Sequence, residues 1–216
     1  MNLKNMNTRI MKAKGFGLLI SFTLSFQFFI SGCMDKIDTD LVGSSSCSPP
    51  CWMGIQPGMT NRTDALHLLE QMEIEKKGSL IILDTGTIKW LNDTPKRYYL
   101  YSENDTINKI KIDFRPVSTN LEVVISHFGD PNNLKLGKIS GDGYFVSIYY
   151  PNKGLVIVVG GNKSLYEVYP KMKVVFIYYL QPGNVSKLEE SLNGEDAAIE
   201  NVLNLKIWEG YGVYKP

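Results

Sequence analysis

The chain has 216 residues, of which 44% are hydrophobic and 21% charged, which is enough apolar material for one large domain or two small ones. A formal net charge of +1 excludes a general affinity for nucleic acid, because phosphate binding requires clustered lysine and arginine. The composition is that of an ordinary globular protein.

The N-terminal segment has the layout of an exported protein. A basic opening without acidic residues is followed by the stretch Phe16 to Ile30, which is apolar and uncharged. This order is typical of a secretory signal, and the apolar stretch is shorter than the roughly 20 residues of a membrane span. The small residues Ser31 and Gly32 then precede Cys33.

The sequence Ile30-Ser31-Gly32-Cys33 resembles the lipobox of bacterial lipoproteins, in which the cysteine receives a diacylglycerol and a peptidase cleaves in front of it. The resemblance implies a signal peptide over residues 1–32 and a lipid anchor, with palmitate among its acyl chains, on Cys33. It also implies a location on the extracytoplasmic side of a cell membrane and leaves open which membrane. Two alternatives are a secreted protein in which Cys33 is incidental, and an uncleaved signal anchor. Residues 33–46 are polar and serine-rich at their end, so we expect a flexible tether.

Cys47 and Cys51 flank Ser-Pro-Pro directly after the tether. In an exported protein, two cysteines so close together favour a disulfide over a reactive centre, and free thiols are the main alternative. A metal site needs further ligands, and His67 and His127 lie far apart in the sequence. We therefore expect a short-loop disulfide of modest stabilising effect, no metal and no cofactor.

Residues 47–116 are predicted to form a first helix-plus-sheet unit. Pro57-Gly58 marks a turn, Thr60 or Asn61 can cap a helix, and an apolar stripe continues to Met72. Short apolar or alternating runs separated by turn sequences then predict an antiparallel meander. Its strands are expected at residues 80–83, 87–91, 97–101 and 107–114.

Residues 117–216 are predicted to form a second such unit with a C-terminal extension. Ser118-Thr119 is expected to cap a helix that stops at Gly129-Asp130-Pro131, and a tight turn is expected at 151–154. Strands are predicted at 144–150, 155–159 and 172–180, and helix-like spacing in two pieces covers 185–203. Aligning Thr60 with Thr119 superimposes the apolar positions of the two helices. The expected fold is α+β, with two tandem units packed separately or joined edge to edge as one sheet.

Two short motifs resemble those of known envelope lipoproteins. Gly58-Met59-Thr60 before one helix and Phe128-Gly129-Asp130-Pro131 after the other are similar to the two ends of a motif in BamE-like subunits of the β-barrel assembly machine. The tandem layout resembles the β-lactamase-inhibitor-protein architecture, and CWMGIQPGMT with FGDPNN resembles uncharacterised bacterial lipoproteins. Each half holds only one end of the motif. Over about residues 52–160, the resemblance implies a fold and anchoring and leaves the partner open.

Tyrosines occur in adjacent pairs in three predicted strands. Neighbouring side chains point to opposite faces of a strand, so one ring of each pair is available for solvent or a partner. Cross-strand packing is one explanation, and a recognition surface is the other. The candidate binding surface comprises Trp52, Tyr99, Tyr149, Tyr179 and Trp208.

The chain has no nucleophile elbow, phosphate-binding glycine loop or zinc-binding helix motif. We therefore expect a non-enzymatic binding module that is held to the membrane of a bacterial envelope and contacts a protein or a peptidoglycan-associated partner. The alternative is an exported hydrolase whose acid and base are carboxylates dispersed in the sequence. A deep pocket with two close carboxylates, or with a carboxylate beside His67 or His127, would favour that alternative.

Overall fold

A computed structural model of the chain describes residues 47–76, 79–83, 85–91, 96–115, 119–139, 144–161, 167–192, 199–201 and 204–214. The predicted signal peptide, the tether and the lipidation residue Cys33 lie outside these residues. No helix in the described ranges combines the length and the apolar character that crossing a membrane requires.

Helix α1, Arg62–Lys76, starts directly after the capping residue Asn61 and extends past the predicted end at Met72. The Asn61 Oδ1 atom accepts a hydrogen bond from the Asp64 amide at 2.8 Å, which satisfies one of the unpaired donors of the first turn. Helix α2, Leu121–Phe128, begins after Asn120 rather than after the predicted Ser118-Thr119 cap. A third helix, α3, spans Val185–Leu192.

The strands of the described residues form mostly one antiparallel sheet, so the fold is α+β, as predicted. Nine of them lie in the order β1-β2-β3-β4-β9-β7-β6-β5-β10, β11 also pairs with β5, and β8 and β12 form a small separate sheet. Their bounds are β1 Ser79–Ile82, β2 Ile88–Leu91, β3 Arg97–Glu103, β4 Thr106–Asp113, β5 Asn133–Ile139, β6 Tyr144–Tyr150, β7 Leu155–Gly161, β8 Glu167–Val168, β9 Lys173–Leu180, β10 Ile199–Asn201, β11 Lys206–Ile207 and β12 Gly212–Val213.

The C-terminal region differs from its prediction. The first piece of the expected helical spacing is α3, but residues 199–201 form strand β10 and pair with Gly137 to Ile139 of β5. Strand β5 was not predicted, although Leu134 and Leu136 alternate with lysines in it. Backbone pairing with the edge of β5 therefore outweighs the helix-like spacing of apolar residues in the C-terminal segment.

Strands β4 and β9 pair at the centre of the sheet, with Lys111 opposite Tyr178. Helix α1 is tied to the start of β4 by two backbone hydrogen bonds. The amide of Arg62 donates to the carbonyl of Asp105 at 2.8 Å, and the amide of Ile107 donates to the carbonyl of Thr60 at 2.9 Å.

Helix α2 is tied to the start of β9 in the same manner. The amide of Leu121 donates to the carbonyl of Met172, and the amide of Val174 donates to the carbonyl of Thr119, both at 2.9 Å. The two helices thus dock on the two central strands through matching pairs of backbone hydrogen bonds.

The two faces of the sheet are covered differently. Helices α1 and α2 and the segment around Trp52 pack on one face and bury a continuous apolar core against it. On the opposite face, α3 places Leu188 and Leu192 against a smaller cluster from β6, β7 and β9. That cluster takes no residue from β1 to β4. Among the described residues, this side of β2, β3 and β4 therefore contributes to neither apolar cluster, and we call it the open half of the sheet.

Candidate interaction surface

The five aromatic residues predicted to form a binding surface do not lie together. Trp52 is fully buried and stacks on Tyr98 with 5.2 Å between the ring centroids. Tyr149 and Tyr179 are 3% and 1% exposed, so they contribute to the interior. Tyr99 and Trp208 are partly exposed. Of these two, Tyr99 belongs to the sheet and Trp208 to the C-terminal segment, where it packs on Tyr214.

The alternation of strand side chains explains which rings are buried. Tyr98 and Tyr179 point to the face covered by α1 and α2, where both are in the main core. Tyr149 points to the opposite face, but α3 covers it there. Tyr99 also points to the opposite face and lies in the open half, so it keeps part of its ring accessible.

Lysine and tyrosine alternate across the open half. Lys89 of β2 lies opposite Tyr99 of β3, and Tyr99 lies opposite Lys111 of β4. Lys111 in turn lies opposite Tyr178 of β9. The Nζ atoms of Lys89 and Lys111 are 5.9 Å and 5.4 Å from the ring centroids of Tyr99 and Tyr178, within cation–π range. We call these residues the Lys-Tyr ladder: Lys89, Tyr99 and Lys111 lie in the open half, and Tyr178 is buried on β9 at its border.

The neighbouring row of the same face contains an ion pair. Asp113 is buried and accepts three hydrogen bonds from Arg115, from the backbone amide, Nε and Nη2, each at 3.0 Å. The hydrogen bond to Asp113 is the main cause that raises the pKa of Arg115 above its ordinary value. The guanidinium also lies 4.6 Å from the ring of Phe176. The Asp113 carboxylate is thus neutralised locally.

The open half carries an excess of positive charge. Strands β2 to β4 and Arg115 contain five basic residues and two acidic ones, Glu103 and Asp113. One of the basic groups, Lys109, is nearly buried and donates to the carbonyl of Ser191 at the end of α3, at 3.3 Å. Lys89 lies beside the partly exposed ring of Tyr99, and Lys111 and Arg115 lie beside the partly exposed ring of Phe176, so the face suits an anionic partner.

The covered half shows how this sheet face binds a carboxylate. Glu189 of α3 accepts a hydrogen bond from Lys135 Nζ at 2.7 Å and from the hydroxyl of Tyr149 at 3.2 Å. Both donors project from the sheet toward α3. A lysine and a tyrosine on this face therefore hold one glutamate of a helix that packs on it.

Neither histidine lies in an enclosed acid–base site. His67 Nδ1 is 3.4 Å from Glu70 Oε2, but the two side chains are 69% and 58% exposed on α1. His127 packs edge-on against the ring of Phe128. Burial, followed by the nearby charge of Lys153, lowers the pKa of His127. Among the described residues, no group of three or more His, Cys, Asp or Glu side chains is placed to hold a metal ion.

Cys47 and Cys51 lie at disulfide distance, with their Cα atoms 5.5 Å apart. The amide of Gly54 also donates to Cys47 Sγ at 3.3 Å. The segment that leads to the buried Trp52 is thereby closed into a small loop. This loop is on the side of the core rather than in the open half.

The lysines of the open half were missed in the sequence, although a signal for them was present. Lys89 stands between Ile88 and Trp90, and Lys109 and Lys111 alternate with Ile110 and Ile112. Strict alternation indicates one buried and one polar face, and it would have placed these lysines with Tyr99. Comparison with known proteins gives no match, since no family model, no curated protein and no solved structure is significantly similar to the chain.

Proposed function

We propose that the chain is a lipid-anchored, non-enzymatic module of a bacterial envelope that binds another protein through the open half of its sheet. The observation that carries the binding role is the Lys-Tyr ladder. Tyrosine offers a large contact area with a hydroxyl donor, and lysine adds charge selectivity. A sheet holds these groups in fixed register, so a partner meets a pre-organised surface.

The anchoring part of the proposal rests on the N-terminal sequence. A basic segment, an apolar stretch and a lipobox-like Ser31-Gly32-Cys33 stand in the order of a lipoprotein signal. Lipoproteins carry more than one acyl chain, which is what makes membrane attachment stable. Residues 33–46 would link Cys33 to the first described residue, Cys47, on the extracytoplasmic side.

We also propose that the sheet is a duplicated helix-plus-sheet unit, in line with the resemblance to β-lactamase-inhibitor-protein and BamE-like layouts. The matching hydrogen bonds of α1 to β4 and of α2 to β9 support this. In the bridges that accompany them, Asn61 faces Thr106 and Asn120 faces Lys173. The sequence separation between Thr106 and Lys173 equals that between Lys111 and Tyr178, which form the central pair. The same offset therefore relates β4 to β9 at both places. An approximate two-fold axis through that central pair would therefore relate the two halves.

The alternative, an exported hydrolase that uses carboxylates, has less support. The Glu70 carboxylate and the His67 ring beside it are both exposed, so this pair does not lie in the enclosed pocket that the alternative requires. The buried Asp113 accepts hydrogen bonds from the Arg115 guanidinium, so its carboxylate is already engaged in an ion pair.

Radiolabelled palmitate tests the anchor. Growth with the label should yield a labelled chain that stays in the membrane fraction after washing with salt, and Cys33→Ser should lose both the label and the membrane attachment. Cys51→Ser, which keeps Cys33, should retain the label. A chain that never incorporates palmitate, or a Cys33→Ser variant that stays in the membrane after the wash, would contradict the proposal.

A further inference from the structure

The open half and the covered half of this sheet face occupy corresponding places on either side of the central pair. One row of paired residues runs from Lys89 through Tyr99 and Lys111 to Tyr178. The same row then continues through Val156 and Tyr149. Counted outward from the central pair, Lys89 corresponds to Tyr149 and Tyr99 corresponds to Val156.

The two halves differ in chemistry at these positions. Tyr149, Val156 and Tyr178 form part of the buried cluster under α3. Their counterparts Lys89, Tyr99 and Lys111 are polar and partly exposed. Helix α3 presents leucines and the single carboxylate of Glu189 to the second half, whereas a helix on the first half would meet two partly exposed lysines and would need further carboxylates.

Resting on the binding role proposed above, we propose that the open half binds an acidic amphipathic helix of a partner protein. Its carboxylates would be received by Lys89, Lys111 and the hydroxyl of Tyr99. The covered half shows the same kind of contact, since Glu189 of α3 is bound there by Lys135 and Tyr149. The apolar side of the helix would lie against the partly exposed ring of Tyr99.

The dimensions of the open half agree with one helix. Strands β2 to β4 lie about 4.8 Å apart and so provide a surface roughly 10 to 15 Å wide. An α-helix with its side chains is about 10 to 12 Å across. An interface of this size is at the small end for protein complexes, so we expect a dissociation constant on the order of micromolar.

The position of α3 disfavours an anionic bilayer as the occupant. This helix packs on the same side of the sheet as the open half, and its end contacts Lys109 of β4. A planar membrane would meet α3 before it reached the Lys-Tyr ladder, because the helix stands about 10 Å above the sheet. A single helix, in contrast, can lie beside α3 on the open half.

The test is a titration of the purified full chain, in a neutral detergent, with a synthetic peptide. The probe is a fluorescein-labelled helix of 16 residues with leucine along one face and glutamate on the others. The matched control peptide has glutamine in place of every glutamate. We expect saturable binding of the glutamate peptide that weakens at least tenfold between about 50 and 300 mM salt, and binding of the control at least tenfold weaker.

Variants of the chain locate the binding site. Lys89→Gln and Lys111→Gln should each weaken peptide binding about five- to tenfold, and Tyr99→Phe should weaken it about two- to fivefold. Lys173→Gln is the charge-matched control, since Lys173 contacts Asn120 at the start of α2, and it should leave binding unchanged. Unchanged unfolding midpoints of the variants establish that any loss of binding is not loss of folding.

Three results would overturn the inference. One is the absence of saturable binding by the glutamate peptide. Another is binding that Lys89→Gln and Lys111→Gln leave unaltered. The third is protection of Lys89 from acylating reagents in lipid discs that contain phosphatidylglycerol but not in discs of phosphatidylcholine, which would identify a bilayer as the occupant. If palmitate labels Cys33 while peptide binding fails, the anchoring proposal stands and this inference alone falls.

Discussion

At the scale of single residues, two glycines in the second half of the chain end a helix and a turn. Gly129 closes α2 with φ 77° and ψ −176°, and a Cβ atom there would meet nothing within 4 Å. Gly154 ends the turn between β6 and β7 with φ 56°. A Cβ atom at Gly154 would lie 2.1 Å from the carbonyl oxygen of Leu180 and 3.0 Å from the nitrogen of Pro182. At Gly129 only the backbone angles disfavour a larger residue. At Gly154 an added side chain would also clash with neighbouring backbone atoms.

We therefore predict that Gly154→Ala destabilises the protein more than Gly129→Ala does. Backbone strain alone should lower the free energy of unfolding by about 1 to 2 kcal/mol in Gly129→Ala. The added clash with the backbone of β9 should bring the loss to about 4 kcal/mol in Gly154→Ala. Urea denaturation of both variants measures the difference. Equal losses would show that the close approach at Gly154 is not a feature of the folded chain.

His127 predicts a dependence of stability on pH. Because burial lowers its pKa in the folded chain, the unfolded chain binds more protons just below pH 6.5. Stability contributed by the neutral imidazole is complete above pH 6.5 and is lost as the pH falls toward the folded-state pKa. Between pH 7.5 and 5.5, the unfolding midpoint of His127→Gln should fall less than that of the native chain. His67→Gln is the control, and a native-like fall in His127→Gln would contradict the assignment.

The sequence predicted which small residues shape turns but not which aromatic rings are exposed. Gly129 and Gly154 were placed correctly at the end of a helix and in a tight turn, because local backbone chemistry decides such positions. The exposure of Tyr99 and the burial of Tyr149 could not be distinguished. Both side chains point to the same face of the sheet, and their exposure differs only because α3 packs over Tyr149.

At the scale of elements, α3 is the observed example of a helix that packs on this face of the sheet. Its Glu189 accepts hydrogen bonds from Lys135 and Tyr149, at 2.7 Å and 3.2 Å, and Leu188 beside it is fully buried. The carboxylate is partly exposed, so solvent screens part of its attraction to Lys135.

We predict that Glu189→Gln lowers the free energy of unfolding by about 1 kcal/mol, since the amide keeps a hydrogen bond but loses the charge. Glu190→Gln alters the neighbouring exposed carboxylate and should change stability by less than about 0.5 kcal/mol. Thermal and urea unfolding of the two variants provide the comparison. If both variants behave alike, the lysine and tyrosine on the sheet do not recognise a carboxylate, and the pattern for the open half loses its support.

Most elements were predictable, and the exceptions have a physical cause. The helices at Arg62–Lys76 and Leu121–Phe128, and the strands with clear alternation, follow from periodicity and turn residues. Strand β10, by contrast, depends on the edge of β5, which is distant in sequence. Pairing between remote segments outweighs local propensity there.

At the scale of the whole molecule, the β4–β9 pairing joins the two halves of the chain. Five paired positions, from Lys109 opposite Leu180 to Asp113 opposite Phe176, connect them. The main apolar core is likewise continuous from Trp52 and Ile88 to Ile148 and Ile177. The sequence pattern predicted a repeat whose units pack separately or join edge to edge. It did not predict which strands would join them, because register between distant strands leaves no local signal.

This continuity predicts that the chain from Cys47 onward unfolds in one transition. Tryptophan fluorescence reports mainly on the buried Trp52 and Trp90 of the first half, whereas far-ultraviolet circular dichroism reports on all strands. Their urea midpoints should coincide for the full chain. Two separate midpoints would show that the halves fold independently and that the central pairing contributes little.

The most direct test of the account is a photocrosslink from the open half in intact cells that carry the chain. Tyr99 replaced by benzoylphenylalanine should yield one discrete crosslinked protein, and this product should disappear when Lys89→Gln and Lys111→Gln are added. The same replacement at Asn152, an exposed residue of the turn between β6 and β7, should yield no such product. Absence of a protein crosslink from position 99, or an equal product from position 152, would contradict the claim that the open half is the binding surface.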